Sequence, residues 1–289
     1  MLKIPRIWLD GTDDMDRKIS SCFLRLEIRL HSYSPWCVLT MFCIFVINSA
    51  YSLIQTGHTE MLTVTSGILY VITQSTTYYL LYAPAMVVLL GGLVDTGSYE
   101  MMIISRKQSR MCYEREKLLS IFLFAAFSVL SMVVVAASVY LCVDNPNVHW
   151  QQHCLFMNQT GMLIVNTNLL NVSGYALIAA QGLLLTISFF SLGVFMEFLQ
   201  NIFAKKYISV IIPLCISLLV YLLSTCDLPD WLMNILPNSH LFLPHFGSIR
   251  HFLTAGIYWL VVLLVLFLGV TLSAKYKDIM YEDYEKQMH

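Results

Sequence analysis

Long apolar runs separated by short polar segments dominate this chain, and six of them are of the length, roughly 20 residues, that a helix needs to cross a lipid core about 30 Å thick. They extend from Trp36 to Ile54, Gly67 to Val94, Leu118 to Cys142, Gly174 to Met196, Ile208 to Ser224 and Phe252 to Ala274. None contains an Asp, Glu, Lys or Arg. Each such residue costs about 2.5 to 3.5 kcal/mol at a helix centre on insertion scales, so the absence of all four types marks these runs as spans. The pattern predicts an all-α polytopic membrane protein. It has a cytoplasmic N-terminal segment over residues 1–35, a six-helix transmembrane domain over 36–274 and a cytoplasmic tail over 275–289. The fifth span is the shortest and carries Pro213 near its start.

Composition agrees with that picture. The chain is 57% hydrophobic and 12% charged, with a mean hydropathy of +0.68, whereas soluble domains carry about 25% charged residues. A net charge of -1 and a pI of about 6.7 leave no excess positive charge to neutralise phosphates, which excludes a nucleic-acid binder. Charge placement is more informative than charge total. Apart from Arg250, all of the 17 Lys and Arg residues fall on the side that holds both termini, so the positive-inside rule puts the N- and C-termini in the cytoplasm of a multi-pass cell-membrane protein. The first apolar run begins near residue 36 with no small-residue cleavage site after it, which argues against a signal peptide.

Between the runs, Ile19, Cys22, Phe23, Leu26 and Leu30 recur at spacings of three and four beside Arg17, Lys18, Arg25 and Arg29, the pattern of an amphipathic interfacial helix before the first span. Residues 24–30 also alternate at period two, but a strand edge against lipid is disfavoured. The segment between spans two and three starts acidic at Asp95 and Glu100, turns apolar over Met101, Met102, Ile103 and Ile104, and finishes basic through Arg106, Lys107, Arg110 and Lys117. It reads either as a brief helix under the membrane that offers apolar knobs and an acid to a partner, or as a solvated loop. On the opposite side, Thr225 to His251 is too apolar for a free loop and is broken by Pro229, Pro237 and Pro244, which predicts two short half-helices dipping into the leaflet or capping the bundle. Cys142, Cys154 and Cys226 lie at or beyond the outer edge and allow one disulfide of undetermined pairing. Asn158 and Asn171 open Asn-X-Ser/Thr sequons, glycosylation acceptors in a eukaryotic secretory membrane. The eight cysteines lack CxxC spacing, so no zinc module is expected.

Catalytic signatures are not apparent: the chain has no GxxxxGK[ST], HExxH or GxSxG motif and no acid inside a span, and no cofactor or metal is expected. His149, His153 and Cys154, like His240, His245 and His251, read as incidental loop residues rather than ligand sets. Polar side chains concentrate in the second span at Gln74, Ser75, Thr76, Thr77, Tyr78 and Tyr79, with Tyr70 and Tyr82 nearby. Such a run covers every face of a helix. It either lines a substrate path or bonds neighbouring helices at about 0.6 to 2 kcal/mol each. Asn48 and Gln181 read as helix–helix glue.

This layout resembles the membrane subunit of ABC-2-type ATP-binding-cassette transporters. The positions that carry the likeness are the N-terminal helix around Ile19 to Leu30, the segment Asp95 to Lys117 with Glu100, the run Met101 to Ile104 and Ser109-Arg110, and the apolar outer segment Thr225 to His251. The resemblance implies a non-enzymatic permease that exports a peptide, lipid or drug-like substrate. Glu100, Met101, Ile103, Ile104, Arg106 and Arg110 would dock on a separate ATPase subunit, and a second permease subunit, the same chain or another, would complete the path. The alternative is a polytopic receptor or scaffold signalling through its cytoplasmic loops. An intramembrane enzyme acting on lipid is disfavoured by the lack of paired acids or a His cluster on the cytoplasmic face.

Overall fold

The computed structural model describes residues 35–56, 62–94, 110–145, 147–162, 164–203, 206–226 and 228–288. The expected interfacial helix and most of the 95–117 segment lie outside these residues. The described residues form an all-α membrane protein. Helices α1 (Pro35–Thr56), α2 (Val64–Thr73), α3 (Ala83–Val94), α4 (Arg110–Leu141), α5 (Trp150–Gln159), α6 (Gly174–Phe203), α7 (Lys206–Ser224) and α8 (Arg250–Met288) follow one another in the chain. Four stretches among them are long and apolar enough to cross a membrane: Tyr113–Leu141, Gly174–Phe203, Tyr207–Ser224 and Arg250–Lys275. Shorter apolar helices, Leu39–Gln55, Val64–Thr73 and Ser75–Gly91, occupy the first two expected spans. The end of the bundle bearing α5 and residues 228–249 is called the upper end here, and the end where α3 and α6 finish is the lower end.

Helix α6 is the axis of the bundle and packs against α2, α3, α4, α7 and α8. Its buried face runs through Leu177, Gln181, Leu184, Leu185 and Ser188, a spacing that keeps one stripe inward. Close approach is made possible by glycine. A Cβ on Gly193 would strike Ile121 of α4, and one on Gly67 would strike the Tyr140 ring, so these contacts exist because the side chains are absent. By contrast α7 and α8 leave Ile211, Leu219, Leu222, Leu253, Ile257, Leu264, Leu268 and Leu272 exposed, as expected of surfaces solvated by hydrocarbon rather than water. Pro213 sits inside α7, which runs helical from Lys206 to Ser224.

Three departures from the sequence expectations concern element boundaries. The second span is not one helix: α2 stops at Thr73, Gln74 adopts an extended conformation (φ -71°, ψ 104°), and the chain resumes through a helical turn at Ser75–Thr77 and a π-helical turn at Tyr78–Tyr82 before α3. Pro84 explains the π turn, because it cannot donate the N–H that an α-helical register requires for Leu80. Within the 143–173 loop, Trp150, His153, Cys154 and Met157 recur at helical spacing, and α5 forms there over the upper end of α2. The two expected half-helices of the 225–251 segment are a single turn at Asp230–Met233 and two 3-10 turns at Pro237–His240 and Leu243–His245. Three prolines within sixteen residues prevent anything longer.

Replacing Gly193 by Ala should lower the thermal midpoint of the detergent-purified protein, by an overpacking cost of about 1 to 3 kcal/mol. Gly256→Ala, where a Cβ meets open space, should leave it unchanged or raise it slightly. Equal effects at the two positions would contradict the α4–α6 packing.

Candidate functional site

The break at Gln74 is the structural feature most in need of a reason. Ten residues carry α2 about 15 Å down from the upper end, at about 1.5 Å per residue, half the thickness of a 30 Å core. Non-helical backbone at that depth is tolerated only against protein or a water-filled cavity. Here it lines a cavity of about 510 Å³. Tyr51 and Gln55 of α1, Tyr70 and Thr73 of α2, Gln74 to Thr77 at the break, and Met162, Phe242, Pro244 and His245 from the upper segments form its walls.

Local chemistry explains each wall. The N-terminus of α2 is fixed by the Thr63 hydroxyl, which accepts from Ser66 N–H at 3.4 Å, and by Asp144 Oδ1, which accepts from Val64 N–H at 3.0 Å. Along one side of the cavity, the Tyr70 hydroxyl donates to Gln55 Oε1 at 3.0 Å, and Gln55 Nε2 donates to the Tyr51 hydroxyl at 2.7 Å. At the break, Thr77 Oγ1 donates to Gln74 Oε1 at 2.8 Å, holding that amide over the turn. The hydroxyls of Ser75 and Thr76 make no intramolecular hydrogen bond among the described residues.

Of the six polar residues singled out from the sequence, the structure places Gln74, Ser75, Thr76 and Thr77 on the cavity wall and buries Tyr78 and Tyr79 beside it. Tyr78 bonds Ser188 of α6, stacks on Phe189 with centroids 5.4 Å apart and meets the edge of Phe242. Tyr79 packs edge-on against Phe242, and its hydroxyl is buried with no partner. Asn48 acts as glue, donating to the Tyr82 hydroxyl at 2.6 Å and tying α1 to the π turn.

The apolar upper segment forms part of the cavity wall through Phe242, Pro244 and His245, and Gln181 pins it. Gln181 Nε2 donates to the Leu241 carbonyl at 3.0 Å while its Oε1 accepts the Leu243 N–H at 3.1 Å. One buried side chain thus satisfies the two backbone groups that flank Phe242. Trp259 Nε1 adds a bond to the His240 carbonyl at 3.1 Å. The protein around His245 pushes its imidazole below the ordinary value by desolvation.

At the lower end lies a feature that the sequence reading did not anticipate. Lys117 Nζ sits 2.7 Å from Glu197 Oε1 and 2.6 Å from Oε2, with both side chains 1% exposed. Spans drawn by apolar length leave Lys117 and Glu197 one residue outside Leu118–Cys142 and Gly174–Met196. The helices run past that point, to Arg110 in α4 and Phe203 in α6, so these two charges face each other inside the bundle. Glu114 is buried nearby, and the Tyr113 ring centroid lies 5.8 Å from Lys117 Nζ. A second cavity, about 560 Å³, lies between α4, α6 and α8, with mainly apolar walls such as Leu118, Phe122, Phe190 and Phe267.

Other sequence candidates are now located. Glu100, Met101, Ile103, Ile104 and Arg106 lie outside the described residues, and Arg110 enters only as the first residue of α4. Cys142, Cys154 and Cys226 are free thiols, so no pair of them forms the disulfide that was allowed; Cys154 is buried on the inner face of α5 while the other two are exposed. The Asn158 side chain is engaged, donating to the Val165 carbonyl at 2.7 Å and accepting from Ile164 N–H at 2.9 Å, whereas Asn171 is exposed. His149 is exposed, but His153 is buried with its Nδ1 on Ser66 Oγ, and burial pushes its imidazole down to about 4. His240, His245 and His251 each have a separate partner, Asn234, Asn238 and Ser248.

Two measurements test these assignments. Lys117→Met or Glu197→Gln alone should destabilise the protein by about 3 to 5 kcal/mol in mixed-micelle unfolding, because one charge is left buried and unpaired, while the double variant Lys117→Met/Glu197→Leu should recover most of the loss. Second, the unfolded chain takes up a proton on His153 near its ordinary value of about 6.5, whereas the folded imidazole resists until about pH 4. Thermal stability should therefore fall as pH drops through that window. His153→Gln should flatten this part of the pH profile.

Compared with known proteins, the chain matches no family model, no curated protein and no solved structure.

Proposed function

We propose that this chain is the permease subunit of an ABC-type exporter, crossing the membrane six times with both termini in the cytoplasm and the upper end outside. The observation that carries this reading is the broken second span: a mid-membrane interruption lined by polar side chains and backed by a cavity of about 510 Å³. Discontinuous helices of this kind are where transporters place substrate. The cavity wall carries no Asp, Glu, Lys or Arg to bind a coupling ion, which favours energy supplied by another chain. In this reading the subunit is not itself an enzyme. A separate ATPase grips the segment between α3 and α4 through Glu100 and its neighbours, and the Lys117–Glu197 pair passes the displacement of α4 to α6. A second permease copy or homologue completes the path, and the cargo is a peptide, lipid or drug-like molecule.

One observation favours the receptor alternative: Tyr78, Tyr79 and Phe242 pack together beside the cavity, as the wall of a ligand pocket would. Affinity purification from native membranes separates the two readings. The permease reading expects an ATP-binding-cassette ATPase to co-purify with the tagged chain and to be lost in Glu100→Lys, with membrane levels of the chain unchanged. Absence of any such ATPase, or unchanged association in the variant, would overturn it.

A further inference from the structure

We propose that the cavity at the Gln74 break binds an uncharged ligand that carries amide or hydroxyl groups together with an apolar or aromatic group. This deepens the reading of the cavity as the substrate site and rests on it only for the ligand's later fate.

The argument starts from what the walls lack. None of the twelve lining residues is Asp, Glu, Lys or Arg. A charged ligand entering at this depth would shed water without gaining a counter-charge, a cost of several kcal/mol that only ion pairing offsets. The one titratable cation-former on the wall, His245, is disfavoured from charging by its surroundings.

The walls then divide into two kinds. The Ser75 and Thr76 hydroxyls are open for intermolecular bonding, and the side chains of Gln55 and Gln74 stand beside them. Each hydroxyl both donates and accepts, so the natural complement is a group that does the same, an amide or an alcohol. The same wall carries the Tyr51 and Tyr70 rings with Met162, Phe242 and Pro244, surfaces that gain from burying an apolar group. A volume of about 510 Å³ lies within the range of small-molecule sites, roughly 300 to 1,000 Å³.

Three probes that share one skeleton test the charge rule: N-acetyl-phenylalanine amide (neutral), N-acetyl-phenylalanine (anionic at pH 7) and phenylalanine amide (cationic). Binding to the full chain in nanodiscs is read by saturation-transfer NMR. The neutral probe should bind at least tenfold more tightly than either charged one. Ser75→Ala/Thr76→Val should weaken it about tenfold with little change in thermal midpoint, because neither hydroxyl makes an intramolecular bond among the described residues. Equal or tighter binding of a charged probe, no binding of the neutral probe, or unchanged binding in the double variant would overturn the proposal. The permease reading fails independently: a chain that discriminates by charge but recruits no ATPase keeps this site and loses that function.

Discussion

Backbone inside hydrocarbon has no water to bond, so every N–H and C=O must find a partner within the protein or in a sheltered aqueous pocket. Most of this chain meets that demand with long helices. It departs from it in two places, the Gln74 break and the non-helical upper segment, and the two are neighbours in space. Phe242, Pro244 and His245 from the upper segment stand over the break, and the Gln181 side chain binds that segment to the central helix by two hydrogen bonds. The irregular backbone is thus walled by protein on the side away from the cavity and lines polar space on the other. A continuous α-helix would satisfy more backbone groups than the interrupted one, so the break carries a cost that the packing around it meets.

Helix α6 links that region to the lower end. Gln181 and Glu197 lie about 24 Å apart along its axis, the first holding the upper cap and the second paired with Lys117 of α4. Burying an ion pair rarely adds net stability over an apolar alternative, but separating its members is expensive. Such a pair makes α4 and α6 move together. Since α4 follows directly on the segment between residues 95 and 109, a displacement applied there has a stiff route to the helix that carries the cap. That connection suits the proposed permease, and it concerns the coupling of elements rather than the chemistry of a site.

Much of this was legible in the chain before its structure. Uncharged runs located the long helices because the bilayer penalises charge so strongly, and residues 225–251 stood out as too apolar for a free loop, either dipping into the leaflet or capping the bundle. Asn48 was correctly assigned to helix contacts. The polar run at Gln74 to Tyr79 was visible, but composition cannot tell a continuous helix with polar faces from a broken one. That depends on whether Gln74 keeps its helical ψ, which is decided by tertiary packing around it. Helix α5 had a periodic signal, Trp150, His153, Cys154 and Met157, too short to stand out within a polar loop. The Lys117–Glu197 pair was not legible because spans were drawn by apolar length, whereas a charge that finds its opposite across the bundle lies within a helix that runs beyond its apolar stretch. The disulfide allowed by Cys142, Cys154 and Cys226 required geometry that sequence spacing does not hold; α5 buries Cys154 away from the others.

The central claim is that the middle of the second span is reached by water from the outer side of the membrane. Thiol accessibility tests it most directly: Thr76→Cys is placed in a chain whose exposed Cys142 and Cys226 are changed to serine, and intact cells are treated with a membrane-impermeant maleimide. The account predicts that Thr76→Cys labels from outside while Leu80→Cys, on the exposed side of the π turn, does not. Failure of Thr76→Cys to label, or labelling only after the membrane is permeabilised, would contradict it.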